Sequence, residues 1–549
     1  MFLLCLVTFS YAQNHSINEI AFIDDNASSR AATLLHPDSH IKVFLPNIPY
    51  TYIAKCTNSG LIRSFDNEQG WIYDLAQSHT RHDDFTYEFE LKKDLKFQDG
   101  TDFNTDSVIQ NFDYFKKSPI LHTNIDKVDF DVIKIDNYRF KIILKQKYEM
   151  FFFDLESIYF YSKKYLEKYG FSGEETGSAI QAPGSYGMGP YILSKGVALG
   201  MKQTSELELL ANPHYWNEEY PKIKKVTVYT QLNTHDAFEM ATLEEGKLDI
   251  MPIPFNKKIE VLQSKYAKLL ISQSTNNFIL FFNLINGHEK LQDRDVRIAL
   301  NQALSQENLL NFVYKNEGVI SPFASSINYK VVKQVAQKDI NTQEKFSKEK
   351  IKELLNGLHL NIFTQDQFMF LCKGIEYQLL EYGVSLHYSV TNSEKDIYNQ
   401  LLTTHISKNS KNWDVLVWGD DDWFYANPWS VFFIYQNGSA WSTIGRDDIM
   451  SGYIDTFFET KIDTQAYESV VAKILYRARD MAYTLRVPSP NKVLAVNKEV
   501  IYKPYKGAIL PLWEIQITEN HWSIRGDKPY PQEFQNPYKP QRINHENNQ

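Results

Sequence analysis

Three consecutive carboxylates, Asp420-Asp421-Asp422, follow Trp418-Gly419 and run into Trp423, Phe424 and Tyr425. Side chains of these types support three kinds of chemistry. Two carboxyls facing each other across a cleft could do acid–base work on a glycoside. A single fixed carboxylate, in a crevice that sheds water, could hold a cationic group through strong charge-assisted hydrogen bonds. The run could also be a solvated acidic turn. Trp418, Trp423 and Tyr425 offer flat walls beside the carboxylates. Other chemistry is poorly represented. There is no GxSxG, no HExxH and no P-loop. The 14 histidines, among them His82, His214, His235 and His387, show no ligand spacing. His36 and His40 stand four apart, but Pro37 between them argues against a helix that would align them for a metal. Cys56 and Cys372 lie far apart, with no CxxC, and a disulfide between them is not expected.

Positioning such a loop takes a large folded body. The chain has 549 residues, which suggests about three domains at ~150 each. Aromatic residues make up 14% of it, with 34 Tyr and 35 Phe, which suits packed cores and an aromatic-lined crevice. The net charge of −9 comes without a basic tract and argues against a nucleic-acid partner. At the start, Phe2 to Phe9 is a short apolar run and Ser10-Tyr11-Ala12 fits a small-x-small cleavage site, so a leader over residues 1–12 is expected. Leu4 before Cys5 argues against a lipoprotein signal. No later run approaches the ~20 apolar residues needed to span a bilayer.

The clearest structural unit runs from Phe85 to Phe115. Phe85, Tyr87, Phe89 and Leu91 alternate with polar residues and predict a half-buried strand. Asp99-Gly100 predicts a tight turn. Asn104 is placed to cap a helix with Asp106 in its first turn and Val108, Ile109, Phe112 and Phe115 on one face. Further strands are predicted over Tyr138–Leu144, Ile223–Tyr229, Asn276–Asn283, Trp413–Trp418 and Lys492–Val496. Helices are predicted over part of Tyr148–Leu155, Ala237–Leu248, Ile351–Leu358 and Ile375–Tyr382. Residues 168–186 read as a surface loop and 324–350 as a polar, linker-like stretch. Trp71 and Tyr73 read as core packing. Arg297 reads as a structural salt bridge.

The wording of several segments carries more than their periodicity. KFQDGTDFNTDSV, with Lys96, Phe97, Asp99, Gly100, Thr101, Phe103 and Val108, resembles the most recognisable segment of the family 5 extracellular solute-binding proteins. These are the oligopeptide-, dipeptide- and nickel-binding proteins of bacterial ABC importers. Asp102 stands where that family usually has proline. Gly187, Gly189 and Pro190 resemble its GTGPY segment, and Asn212, Pro213, Tyr215 and Trp216 its NpdYW segment, with His214 as a departure. Leu243, Gly246, Asp249 and Ile250 fit a further motif, and Asp295 to Leu304 the segment D.rVRqAlnyA. Trp418 to Pro428 is similar to the family's acidic segment, with Asn427-Pro428 for Asp-Pro and a lengthened loop. The motifs occur in family order through nearly the whole chain.

The resemblance implies an α/β, two-lobe periplasmic-binding-protein fold (type II, cluster C-like) with an extra subdomain in the first lobe. The first lobe is expected over 13–285 plus 490–549, with the extra subdomain at about 46–186, and the second over 286–489. It implies capture of a small solute, most simply a peptide, and delivery to an ABC permease and ATPase complex in the inner membrane. Nickel or a metal chelate is the alternative cargo, and opines or sugars remain open. No enzyme activity, cofactor or protein-held metal is implied. A periplasmic monomer is expected. In peptide-binding members the aspartate after Trp-Gly takes the ligand's amino terminus, which implies Asp420 or Asp421 here, with Trp418, Trp423 and Tyr425 as walls.

Overall fold

The computed structural model describes residues 36–46, 50–67, 69–117, 125, 128–169, 183–197, 204–243, 246–340, 343–391, 396–397, 399–401, 413–420, 427–439, 441–507, 510–530 and 541–543. The expected leader, Cys5, most of the 168–186 loop, and Asp421, Trp423 and Tyr425 lie outside the described residues.

The Phe85–Phe115 segment builds a four-stranded antiparallel sheet with a helix. Strand Thr86–Leu91 lies between Ala76–Arg81 and Arg139–Leu144, with Phe130–Lys134 outermost. Tyr87, Phe89 and Leu91 are buried as the alternation requires, and Phe89 pairs with Phe140 in register. Phe85 departs from the pattern and is 42% exposed. The reason is local: Asp83 Oδ1 accepts from the Phe85 and Thr86 backbone N–H groups at 2.8 and 2.7 Å, so a side-chain-stabilised turn ends where the strand begins. Gly100 takes φ 85°, which only glycine adopts at little cost, and the Lys96–Asp102 bridge closes this turn. Asn104 and Ser107 form a reciprocal capping box on helix Thr105–Phe115. Val108, Phe112 and Phe115 face the core, while Ile109 is half-buried.

Two larger sheets organise the rest. An eight-stranded mixed sheet runs in the order Gln541–Ile543, Ala267–Ser272, Lys492–Asn497, Ile250–Pro252, His40–Phe44, Lys225–Tyr229, Glu206–Ala211, Tyr191–Lys195. A five-stranded sheet runs Ser385–Thr391, His359–Gln365, Val415–Asp420, Asn277–Phe282, Thr484–Leu485. Strand Ala267–Ser272 belongs to the first sheet and Asn277–Phe282 to the second, so the chain passes from one to the other through residues 273–276. It returns between Leu485 and Lys492, placing a late strand in the middle of the early sheet.

Several expectations change in the folded chain. Residues 324–350 are not a linker: Lys330–Gln337 is a helix that buries Val331, Val332 and Val335. Three valines surrounded by lysines gave too short a stripe to stand out. The helix expected over Ala237–Leu248 starts earlier, at Thr234 behind the Asn233 cap, and stops at Thr242. Arg297 makes no salt bridge among the described residues. Its guanidinium donates to the carbonyls of Leu291, Gln292, Met481 and Ala482 at 2.6–3.2 Å, joining its own helix to the chain about to leave this sheet. Cys56 and Cys372 are free thiols in different cores, and burial pushes them up to about 12 and about 11. His36 Nδ1 accepts from the Asp38 N–H, and His40 Nε2 lies 2.9 Å from Thr227 Oγ1, so both rings serve local structure. Among the described residues no group of three or more His, Cys, Asp or Glu could hold a metal, and no helix is long and apolar enough to cross a membrane.

Candidate ligand-binding crevice

A crevice of about 650 Å³ opens between the four-stranded sheet and the body that contains the five-stranded one. Its first wall is aromatic and comes from local sequence patterns. Strand Trp71–Tyr73 and strand Ala76–Arg81 present Trp71, His79 and Arg81. Helix Phe151–Glu156 presents Phe152, and Phe153 also faces the space. Trp71 stacks on Phe152 with 5.2 Å between ring centroids and 30° between planes. The His79 ring lies 4.4 Å from that of Phe152, and its Nδ1 lies 2.7 Å from the Tyr73 hydroxyl. Burial against these rings lowers the His79 pKa, favouring the neutral imidazole. At the edge of this wall Arg81 grips both oxygens of Glu149, at 3.0 and 2.7 Å.

The second wall is polar. It is made by Ile327, Asn328, Tyr329 and the first turn of helix Lys330–Gln337, by Asn427, and by Lys461, Ile462, Asp463 and Tyr467. Asn427 Oδ1 accepts from the Trp429 N–H at 2.9 Å, and its Nδ2 donates to the Tyr467 hydroxyl at 3.1 Å. Burial raises the Tyr467 hydroxyl well above its ordinary value, so it stays a neutral hydrogen-bonding group. Asp66, Asn67, Gln69 and Tyr87 also line the space, as do Thr275, Lys506 and Gly507 where the chain passes between the large sheets, and the Thr275 N–H donates to the Lys506 carbonyl at 3.1 Å.

The residues expected from sequence distribute unevenly. Trp418 is half-buried, stacks on Trp441 at 5.8 Å and 14°, tilts against Phe281, and is not among the crevice-lining residues. The backbone of Asp420 ends the strand Val415–Asp420 and pairs with Asn277, two residues from Thr275. Asp421, Trp423 and Tyr425 fall between Asp420 and Asn427, in the part outside the described residues. Sequence reasoning missed the aromatic wall and the lysines opposite. Trp71 packs, as the sequence suggests, against the aromatic core as a partly buried ring, and it also lines the crevice. The signal available was its pairing with Tyr73 on a short strand, close to the aromatic run Tyr148–Phe153.

A rigid joint holds the aromatic subdomain to the eight-stranded sheet. The Gln98 side chain donates to the carbonyls of Thr57 and Tyr191 at 2.8 and 2.7 Å, and accepts from the N–H groups of Tyr186 and Gly187. Gly189 packs so tightly on Thr57 that its N–H donates to the Thr57 carbonyl at 3.0 Å. Asn212 and Trp216, from the NpdYW-like segment, bond the Gly189 carbonyl and Asp74 Oδ1 at 2.8 and 3.0 Å.

The model for bacterial extracellular solute-binding proteins, family 5 Middle, matches residues 70–440 of this chain. The chain belongs to that family. Among curated proteins, the glutathione-binding protein GsiB of Escherichia coli (strain K12) is 29% identical over 284 residues, which is 49% of this chain and 51% of that protein. The match therefore spans about half the length of such relatives. Among solved structures, the oligopeptide-binding protein AppA from Bacillus subtilis, in complex with a nonapeptide, superposes with a TM-score of 0.71 at 16% identity, covering 87% of this chain and 100% of AppA. NikA from Staphylococcus aureus, in complex with Ni(L-His)2, gives a TM-score of 0.69 at 17% identity over 87% of this chain and 100% of NikA. These likenesses establish the two-lobe α/β fold of family 5 binding proteins.

Proposed function

We propose that this family 5 protein captures a short peptide between its two lobes and hands it to an ABC-type importer in the inner membrane. The observation that carries the reading is the crevice itself. Its volume of about 650 Å³ lies within the range of small-solute sites, and an aromatic wall faces a polar one across it. An aromatic face suits apolar side chains, while the polar and charged side chains of the opposite wall suit the polar groups of a peptide. The site binds without covalent chemistry, and we place no enzyme activity in it.

In this reading residues 13–276 and 490–549 form the first lobe, 46–186 its extra subdomain, and 277–489 the second lobe; the boundary expected at 285 moves to 276 because strand Asn277–Phe282 belongs to the five-stranded sheet. The segments 273–276 and 486–491 serve as hinges, because the chain changes sheets there. Asp420 or Asp421 neutralises the peptide's ammonium, with Trp423 and Tyr425 beside it. The protein works in the periplasm as a monomer, released from a leader over residues 1–12.

A nickel chelate is the second reading, favoured by one lining imidazole, His79, held between aromatic rings. Calorimetry with a tri- to pentapeptide library, set against nickel with and without histidine, separates the two. Small-angle scattering should show a smaller radius of gyration with the bound cargo. Binding of nickel–histidine and of no peptide overturns the peptide reading.

A further inference from the structure

Among the described residues, the crevice lining carries a charge balance opposite to that of the chain. The whole sequence carries 58 Lys and Arg against 67 Asp and Glu. The described lining carries five cations (Arg81, Lys330, Lys333, Lys461 and Lys506) against three carboxylates (Asp66, Glu149 and Asp463). Two of those carboxylates face cations of the protein itself, and one lining cation, Arg81, is spent in the same pair as Glu149. Glu149 is only 6% exposed and is gripped by Arg81. Asp66 is also mostly buried and lies 3.8 Å from Lys503. Asp463 is the well-exposed lining carboxylate among the described residues, and Lys330 stands 3.6 Å from it.

Three of the cations stand together opposite the aromatic wall. Lys330 and Lys333 lie three apart on helix Lys330–Gln337 and so share a face, and Lys461 joins them from the loop before helix Gln465–Asp480. All three are exposed. The helix has no acidic residue in its first turn and no side-chain cap. Lysines at a helix N-terminus meet the positive end of the dipole and cost some helix stability, so they add to the positive potential where a carboxylate would have relieved it. Across the space stands the aromatic wall of Trp71 and Phe152. A concave site focuses such a field onto whatever enters it.

We propose that the crevice selects acidic peptides, with carboxylates against Lys330, Lys333 and Lys461 and an apolar side chain against Trp71 and Phe152. This deepens the peptide reading and rests on it.

The test uses Glu-Phe-Glu, Gln-Phe-Gln and Lys-Phe-Lys with free termini, whose net charges near pH 7 are about −2, 0 and +2 from ordinary side-chain values. Calorimetry on the full-length protein at low salt should rank them in that order, with each step about fivefold to tenfold. The preference should shrink as salt is raised, because exposed charges are screened. In the triple variant Lys330→Gln, Lys333→Gln, Lys461→Gln the Glu and Gln peptides should bind equally. The wild-type salt series needs no variant and supports the proposal by itself if the preference collapses. Equal binding of Glu-Phe-Glu and Gln-Phe-Gln to the wild type overturns the charge selection but leaves the peptide reading standing. A preference that survives in a folded triple variant, checked by its thermal melt, overturns the lysine assignment. Binding of none of the three peptides overturns the acidic-peptide proposal, while the peptide reading falls only if the whole tri- to pentapeptide library also fails to bind.

Discussion

The indole of Trp71 and the ring of Phe152 stack 5.2 Å apart, joining a short strand to a helix some eighty positions later and giving the crevice its flat wall. Trp71→Leu keeps an apolar side chain but removes the plane. Aromatic contacts contribute about 0.5–1.5 kcal/mol beyond simple burial, so peptide binding should weaken by about twofold to tenfold. Calorimetry with Glu-Phe-Glu reads this, and a thermal melt should show a fold still intact. Unchanged affinity would remove this wall from the binding site.

Replacing Asp420 or Asp421 by Asn keeps the size and removes the charge. The aspartate that faces the ligand's ammonium should cost about 3–5 kcal/mol of binding when replaced, as breaking a buried ion pair does. That is at least about a hundredfold in dissociation constant. An N-acetylated peptide should bind the wild type poorly and be insensitive to the substitution. If both single variants bind the free peptide like the wild type, the carboxylate assignment is wrong.

Asp447 caps helix Asp448–Glu459 and accepts from Arg477 at 2.8 and 3.0 Å and from the Tyr483 hydroxyl. Burial alone pushes this carboxyl up, but the hydrogen bonds from Arg477 and Tyr483 outweigh it and hold the folded-state pKa below the ordinary value. A depressed carboxyl stabilises the fold fully above its unfolded pKa, about 3.9, and this stability is lost as pH falls through the lower folded value. Asp447→Asn should therefore lower stability at neutral pH by about 2–3 kcal/mol, discounted because Arg477 is partly exposed. The gap to the wild type should narrow below about pH 4. Urea midpoints between pH 7 and 3 check it, and a constant gap would show that the charge plays no part.

Gly189 has no room for a side chain. A Cβ there would lie 2.4 Å from the Thr57 carbonyl carbon and 2.5 Å from the Asn58 nitrogen, both backbone atoms that cannot rotate away. Gly189→Ala should cost about 1–3 kcal/mol or more as overpacking, loosening the joint between subdomain and sheet. Thermal unfolding measures it, and a melt within a degree of wild type would mean that this joint yields freely.

Much of the framework was legible because it depends on neighbours in sequence. The Thr86–Leu91 strand, the Asp99-Gly100 turn and the Asn104 cap each arise within a few residues. Period-two burial, positive φ and side-chain capping act over that range. Family membership was legible for a related reason: glycines 187 and 189 and the Asn212–Trp216 segment meet tight backbone constraints that leave little freedom of residue type.

The crevice was not legible in the same way. The acidic loop stood out as a run of like residues, whereas the lining is assembled from segments around Trp71, Phe152, Thr275, Lys330, Asn427, Lys461 and Lys506. No local pattern links them. Trp71 does pack against the core, and aromatic character alone does not show that a partly buried ring also faces a gap. Lys330 and Lys333 looked like a solvated linker because their helix is short and its valine stripe brief. Arg297 looked like half of an ion pair, and only the fold supplied the carbonyls of Met481 and Ala482 that it actually bonds. Short-range sterics and hydrogen bonding determined the strands, turns, caps and family of this protein from its sequence. Long-range packing of two sheets and a subdomain decided which rings and charges face one another, because that choice depends on contacts between residues far apart in the chain.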